Sequence, residues 1–177
     1  MPLIGRTVMI VGSPGAGKST LARRIGASCG LRVIHMDQLY WTAGWRRREP
    51  SYHRALVEDA VARPSWVFDG NHTATLPLRT QKADTLIWLD LPRGLCMLRI
   101  LRRVAGGYGK VRADMAAGCP ERFDAGFLKW AWRFPQNSGP GLARLYAAFP
   151  GRKYQLTTPQ EVAVFVARLE DRQGGMT

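Results

Sequence analysis

Apolar runs alternate along the chain with longer segments that have helical periodicity. Five short runs are largely apolar, which is typical of strands buried in a parallel sheet; they span residues 7–11, 31–36, 65–69, 85–90 and, more weakly, 153–156. Segments with helical spacing lie between and after them, at about 18–29, 52–62, 75–82, 92–104, 125–133, 141–148 and 159–171. Strands that alternate with helices predict βαβ units, so the expected fold class is α/β with a parallel sheet.

Several residues predict where these helices begin and end. Gly30 is a typical C-terminal stop, and Pro64 ends the second helix. Pro92 favours a first helical turn, with Asp90 interpreted as the N-cap of that helix. Glu161, which follows a Thr-Pro pair, fits a capped start of the last helix.

Residues 105–125 break the pattern because they are rich in glycine, basic and only weakly periodic. An insert of this kind in a compact domain is usually a functional lid or a mobile loop. We find no internal repeat and no low-complexity linker. The expected organisation is therefore one domain over residues 1–177, with a lid insert at about 105–125.

The composition predicts a folded protein of the cytoplasm. Hydrophobic residues make up 46% of the chain and there are six Trp, which excludes a disordered protein. No apolar run reaches the roughly 18–20 residues that span a bilayer, and the N-terminal segment is too short for a signal peptide. The cysteines, Cys29, Cys96 and Cys119, form no Cys-x-x-Cys pair and predict neither a zinc site nor disulfides.

The net charge of +13 favours anionic partners. Nucleotides, phosphorylated metabolites and nucleic acid all belong to this class. Most of the positive residues are arginines spread over the chain, so the charge equally fits a compositional bias of the genome. Nucleic acid therefore stays open as a partner and is not required.

The segment after the first strand carries the sequence's strongest motif, G-x-x-x-x-G-K-S, between a predicted strand and a predicted helix. It comprises Gly12, Ser13, Pro14, Gly15, Ala16, Gly17, Lys18, Ser19 and Thr20. Its glycines allow backbone N–H groups to form an anion nest, and the helix adds its positive end. Lys18 would contact the β- and γ-phosphates and Ser19 would bind Mg²⁺, so the motif predicts ATP and magnesium as ligands.

Aspartates follow two of the other predicted strands. Asp37 lies after the second strand and Asp69 after the third. The carboxyl ends of parallel strands form the ligand crevice of an open sheet, which suits both acids for contact with magnesium or an acceptor. The alternative is that each acid merely begins a turn.

The helix at 92–104 and the insert after it supply further cations. Arg99 and Arg103 are four residues apart and share one helix face, where one guanidinium could stack on a base and one could bind phosphate. The alternative is a solvated basic face. Lys110, Arg112 and Arg122 of the insert could close over the triphosphate and exclude water.

Together, the segments GSPGAGKSTLARRIG, VIHMDQLYWTAGW, WVFDGNHTATLPLR, ADTLIWLDLPRGLCMLRILRR and GCPERFDAGFLKWAWRFP resemble the bacterial topology modulation protein family, a branch of small P-loop NTPases similar to adenylate kinase. The resemblance implies a sheet of strand order 2-3-1-4-5 with flanking helices and a lid. It also implies that Asp69 works around magnesium, that Asp37 matches the acid after the second strand, and that Arg99 and Arg103 pack on adenine and phosphates.

The chain departs from adenylate kinases where those enzymes bind a monophosphate. Asn71 and His72 follow the Asp-Gly pair in place of Phe-Pro-Arg, and the next arginine is Arg79. Tyr40 and Trp41, with Trp45, replace the small AMP-binding helical region and either stack on a flat ring or form core. An acceptor is expected near Tyr40, Trp41, Asn71, His72 and Arg79.

Two functions follow from these predictions. The first is a small kinase that transfers the γ-phosphoryl group of ATP to an unidentified small molecule, such as a nucleoside or nucleotide. Its catalytic residues would be Lys18, Asp37, Asp69 and Arg103. The alternative is an ATPase that acts with nucleic acid, as the name of the similar family suggests. The sequence determines neither the acceptor nor the oligomeric state.

Overall fold

The structure is a computed structural model that describes the backbone of residues 2–174 and the side chains of residues 2–171. Within these residues the strands are β1 (Thr7–Gly12), β2 (Val33–His35), β3 (Trp41–Thr42), β4 (Arg46–Arg47), β5 (Trp66–Asp69), β6 (Thr85–Leu89) and β7 (Arg152–Leu156). Five of them form one parallel sheet in the order β2-β5-β1-β6-β7. This order confirms the predicted 2-3-1-4-5 arrangement of the main strands.

Helices cover both faces of this sheet. They are α1 (Lys18–Cys29), α2 (Met36–Tyr40), α3 (Pro50–Ala62), α4 (Leu76–Lys82), α5 (Arg93–Gly107), α6 (Ala125–Asn137), α7 (Gly139–Ala148) and α8 (Pro159–Gly174), with a 3₁₀ turn (Thr73–Thr75) before α4. Successive side chains of a strand point to opposite faces. Val8 and Ile10 accordingly pack with α1 and α8, whereas Met9 and Val11 pack with α3 and α7.

The helix ends agree with the predictions for α1 and differ for α5. Gly30 closes α1 in a left-handed conformation, with φ of 63°, and its N–H donates to the Gly26 carbonyl. Helix α5 runs to Gly107, so residues 105–107 belong to the helix and not to the predicted insert. The interpretation of Asp90 as an N-cap is wrong, because the helix begins one residue later than predicted and Pro92 takes the cap position. Asp90 instead accepts a hydrogen bond from Gln155 Nε2 at 2.9 Å.

A short hairpin between β2 and α3 was not predicted. Met36 begins α2 instead of ending a strand, and the chain then forms the antiparallel pair β3 and β4. The insert after α5 lies against this hairpin. Gly44 N donates to Gly118 O at 2.8 Å, and Trp45 Nε1 donates to Pro120 O at 3.1 Å. We refer to residues 108–124 as the lid.

No helix within the described part of the chain is both long enough and apolar enough to cross a membrane.

Candidate active site

The loop between β1 and α1 has the conformation that its glycines permit. Gly12, Gly15 and Gly17 have φ values of 139°, 77° and 97°, which residues with a side chain rarely adopt. A Cβ atom at Gly15 would lie 2.4 Å from the Cys96 carbonyl oxygen of α5. The glycines therefore let the loop curl tightly between the sheet and α5, at the N-terminus of α1.

Lys18 lies across this loop. Its Nζ donates to the carbonyl oxygens of Gly12 and Ser13, each at 2.9 Å. Burial lowers the pKa of the ammonium, while the charges of Asp69 and Asp37 oppose that shift. The side chain is thus held where an anion bound in the loop would meet it.

Asp69 ends β5 beside β1 and is 3% exposed. Its Oδ1 lies 3.0 Å from Nδ1 of His35, which is the last residue of β2. Its other oxygen, Oδ2, is buried and has no hydrogen-bond partner among the described residues. A buried carboxylate oxygen without a partner is costly, so this atom favours a donor or a cation from a ligand.

Asp37 lies in the first turn of α2, next to the same crevice. Its side chain reaches solvent, yet the crevice walls displace much of its hydration, and this desolvation raises the pKa of the carboxyl group. Lys18 opposes the shift and Asp69 adds to it. With Ser19 at the start of α1, the two acids offer the oxygen ligands that magnesium prefers. The residues present therefore fit that ion.

Asn71 connects two strand ends. Its Oδ1 accepts from Gly12 N at 3.1 Å, and its Nδ2 donates to Gly12 O at 2.6 Å. The structure thus places the side chain on the backbone of the phosphate loop, where it fixes the loop's first residue. The predicted contact between Asn71 and an acceptor stays a prediction.

Arg79 supports the segment that carries Asn71. Its side chain is fully buried, and its Nη1 and Nη2 donate to Gly70 O at 2.8 Å and His72 O at 3.3 Å. Burial lowers its pKa to about 10, with Asp69 opposing. An effect of Arg79 on an acceptor would therefore pass through the loop that it holds.

Tyr40, His53 and His72 form an aromatic cluster beside the loop. The ring centroids of the two histidines are 4.5 Å apart, and that of Tyr40 lies 5.3 Å from His53 and 5.1 Å from His72. Burial lowers the pKa of His53 to about 4 and lowers the pKa of His72 as well. His53 is therefore neutral at neutral pH.

The arginines of α5 face the loop and the lid. Arg99 Nη1 donates to Ala16 O at 3.2 Å. Arg103 Nε lies 3.2 Å from Glu121 Oε2, and Arg112 Nε lies 2.9 Å from the same oxygen. Burial lowers the pKa of Arg103. The positive charge of Arg112 lowers this pKa further, and the carboxylate of Glu121 raises it. Glu121 is therefore a buried counter-ion that holds both guanidinium groups near the site.

Sequence reasoning missed the acids of the lid. Asp114 is buried and forms an ion pair with Arg112 at 3.0 Å. The sequence carries no signal for this, because an acid in an irregular segment has no periodic position. Lys110 and Arg122 of the lid are exposed, and Arg122 lies over the Trp45 ring at 5.3 Å. Their closure over a triphosphate stays a prediction.

A cleft of about 460 Å³ lies between the hairpin and the lid. Trp41 and Trp45 pack there against Met115, Ala116 and Cys119 of the lid, so Trp41 both forms this small core and lines the cleft. The lining residues are Gln38, Trp41, Thr42, Ala43, Arg48, Met115, Ala116 and Ala117. The cleft adjoins the phosphate crevice, because Gln38 follows Asp37 and Met115 follows Asp114 in the chain.

Comparisons with known proteins agree with this fold. No protein-family model matches the chain. No curated protein matches its sequence. Among solved structures it is similar to a shikimate kinase from Acinetobacter baumannii in complex with shikimate, with a TM-score of 0.58, over 97% of this chain and 94% of that chain, at 14% identity. Such a likeness shows a shared fold alone, and the resemblance to the topology modulation family stays a prediction.

Proposed function

We propose that the protein is an ATP-dependent phosphotransferase that acts on a small-molecule acceptor. The observation that carries this proposal is an acceptor-sized cleft, about 460 Å³, beside a crevice that holds Lys18, Ser19, Asp37 and Asp69. Pockets of this size bind small ligands, whereas a nucleotide switch needs no second pocket of its own. The fold's likeness to a kinase that was solved with a small molecule bound supports the same class.

The reaction would join the acceptor's hydroxyl oxygen to the γ-phosphorus while the bond to the β–γ bridging oxygen breaks, which leaves ADP. Lys18 and Arg103 would stabilise the charge on the transferring group, and no covalent enzyme intermediate is needed. Asp37 or Asp69 would orient the acceptor hydroxyl and accept its proton. Magnesium, held by Ser19 and by Asp37 or Asp69, would neutralise charge on the β- and γ-phosphates.

The lid would exclude water from this site. Gln38 Nε2 donates to Ala113 O at 2.7 Å, which joins the acceptor side of the crevice to the lid. A covered site favours transfer to the acceptor over transfer to water.

The charge of +13 favours a second candidate, an ATPase that acts with nucleic acid. The two functions differ in what stimulates turnover. A kinase requires a small acceptor that becomes phosphorylated, whereas the ATPase requires nucleic acid and releases inorganic phosphate.

Turnover of ATP·Mg²⁺ separates these functions. We expect ADP release that depends on one class of small hydroxyl compound, from a panel of nucleosides, nucleotides, sugars and hydroxy acids. Lys18→Ala should lower this rate about a hundredfold or more, because the loop loses its cation towards the phosphates. Lys82→Ala, at the exposed end of α4, is the matched control and should leave the rate unchanged. Stimulation by DNA and by no small molecule would replace the kinase with the ATPase.

A further inference from the structure

Arg48 is the inward-pointing member of a run of three arginines. Arg46 and Arg47, the two residues of β4, are exposed. Arg48 is half-buried and lines the cleft, and its backbone N–H donates to Tyr40 O at 2.9 Å. That bond ties the residue to the end of α2, so the fold holds this one guanidinium at the cleft.

The guanidinium of Arg48 has no anionic partner in the part of the chain that the structure describes. Among the described residues it forms neither an ion pair nor a hydrogen bond, and its Nε is buried and unpaired. Its Cζ lies over the Tyr52 ring, 5.7 Å from the ring centroid. Arg103 and Arg112, by contrast, share the buried carboxylate of Glu121. A buried donor without a partner costs stability, so a ligand is the expected partner of Arg48.

The other walls of the cleft define what such a ligand carries. None of the lining residues is acidic; Gln38 and Thr42 offer neutral polar groups, and Trp41, Met115 and Ala116 offer apolar surface. A cationic ligand would meet Arg48 with no compensating acid. A neutral ligand would leave the guanidinium unpaired. A ligand with an anionic group and a compact apolar or flat body satisfies both kinds of wall.

We propose that this cleft binds an anionic small molecule, which carries a carboxylate or phosphate group that pairs with Arg48. This inference rests on the proposed function for its role: the anion would be the phosphoryl acceptor, with a hydroxyl group directed towards Asp37, the neighbour of Gln38. Arg48 would then set specificity, because acceptors without the anionic group lose a charge-assisted hydrogen bond. The cleft's volume of about 460 Å³ suits a small molecule.

Binding of simple anions tests the site without knowledge of the acceptor. The protein is saturated with ADP·Mg²⁺ so that the phosphate loop is filled, and inorganic phosphate or acetate is titrated while the melting temperature is followed. We expect at least one of the two anions to stabilise the wild type. Arg48→Gln should require about tenfold more of that anion, because the charged partner is gone. The comparison of phosphate with acetate distinguishes the two anionic groups.

Arg47→Gln is the matched control, since it removes the same charge from the neighbouring exposed position. It should bind the anion as the wild type does. Equal anion affinity in all three proteins, or no stabilisation of the wild type by either anion, would overturn the inference.

Stability without anions separates a binding role from a structural one. Because Arg48 makes no bond that folding needs, Arg48→Gln should melt at the wild-type temperature or about 2–4 °C higher. If Arg48→Gln melts below the wild type, the guanidinium has a stabilising partner within the protein, and the proposal is contradicted.

Acceptor assays distinguish this inference from the proposed function. Pairs of compounds that differ only in the anionic group, such as a nucleoside and its 5′-monophosphate or glucose and gluconate, are compared as acceptors. Preference for the anionic member that Arg48→Gln lowers about tenfold supports both. If only the neutral members are phosphorylated, the protein is a kinase, but its acceptor is not anionic and the inference fails. If anions bind at Arg48 but no acceptor stimulates turnover, the anion site is supported and the proposed kinase function is wrong.

Discussion

A single amide side chain, that of Asn71, determines how the end of β5 meets the phosphate loop. Its Nδ2 and Lys18 Nζ both donate to Gly12 O, at 2.6 and 2.9 Å, while its Oδ1 accepts from Gly12 N. Only an amide offers a donor and an acceptor in this arrangement. Asn71 therefore fixes both the shape of the loop and the position of the lysine.

Replacement of Asn71 tests this role. In Asn71→Ala the Gly12 N–H loses its side-chain acceptor and the Gly12 carbonyl keeps only Lys18 of its two side-chain donors, which should lower the free energy of unfolding by about 1–3 kcal/mol. We also expect ATP affinity to fall about tenfold, because the loop is no longer held in one shape. Denaturant unfolding and nucleotide titration measure the two effects.

Asn71→Asp sharpens the test because it keeps the size of the side chain. A carboxylate cannot donate to Gly12 O and would repel it, so this variant should bind ATP no better than Asn71→Ala. Asn137→Ala, at the exposed end of α6, is the control and should match the wild type. Wild-type ATP affinity in both Asn71 variants would show that the amide does not shape the loop.

The residue scale also marks the limit of prediction from sequence. The motif around Lys18 specifies its own backbone geometry, and the structure has the expected strand, loop and helix there. The side chains of Asn71 and Arg79 bond to backbone groups of Gly12 and Gly70, which was not predicted, and their contact with an acceptor stays a prediction. Such partners are decided by the packing of distant segments. The position of Arg48 at the cleft was not predicted, because the sequence does not show which of three adjacent arginines points into the protein.

At the scale of elements, the contact between hairpin and lid is the least predictable part of the fold. Strands β3 and β4 have two residues each, too few for an alternating pattern to be recognised. Their stability comes from the lid, whose Met115, Ala116 and Cys119 pack on Trp41 and Trp45. Trp41 and Trp45 thus follow one of the two predicted alternatives, packing into core, while Trp41 also lines the cleft.

Gly118 tests whether this contact closes the site. Its φ is 75°, and a Cβ there would lie 2.6 Å from the Ala43 Cβ of the hairpin. Gly118→Ala should therefore push the lid away from the hairpin. Trypsin should then cut at Lys110, Arg112 and Arg122 about tenfold faster, because cleavage requires local opening. Hydrolysis of ATP without an acceptor should rise as water enters.

Gly109→Ala separates collision from backbone strain. Gly109 has the same φ of 75°, but a Cβ there would have no atom within 4 Å. This variant should show wild-type cleavage of the lid and wild-type hydrolysis, apart from a small loss of stability. Equal effects of the two substitutions would mean that strain alone acts, and that the lid does not depend on the hairpin.

At the scale of the whole molecule, the sheet could be predicted because two independent signals agree. Continuous apolar strands and intervening helical periodicity both require a parallel sheet, and the resemblance supplied the strand order that the structure confirms. The register that brings Ile10 beside Asp69 follows from this order. This arrangement of strands places the acids at the strand ends beside the phosphate loop. No local sequence pattern predicts that proximity.

The charge of the molecule is unevenly compensated. Between α5 and the end of α7 the acids are Asp114, Glu121 and Asp124, and the first two are buried in ion pairs. The basic residues of the same region are Arg93, Arg99, Arg102, Arg103, Lys110, Arg112, Arg122, Lys129, Arg133 and Arg144. This part of the molecule therefore presents a positive surface whichever of the two proposed functions holds.

A salt series decides what this positive surface does. Lys129 and Arg133 lie four apart on α6 with the half-exposed Trp132 beside them, so they should contact nucleic acid first. We expect weak, sequence-independent binding of single-stranded DNA, with affinity that falls steeply between 50 and 200 mM salt.

The double variant Lys129→Gln, Arg133→Gln should flatten the slope of log affinity against log salt by about one to two, since two phosphate contacts are lost. A control that removes the paired Arg24 and Arg63 changes the net charge equally and should keep the wild-type slope. ATP turnover should be the same in every variant, because charge attraction to DNA is separate from the phosphate crevice. If DNA raises turnover and the α6 variant abolishes that rise, the positive surface belongs to the function, and the ATPase replaces the kinase.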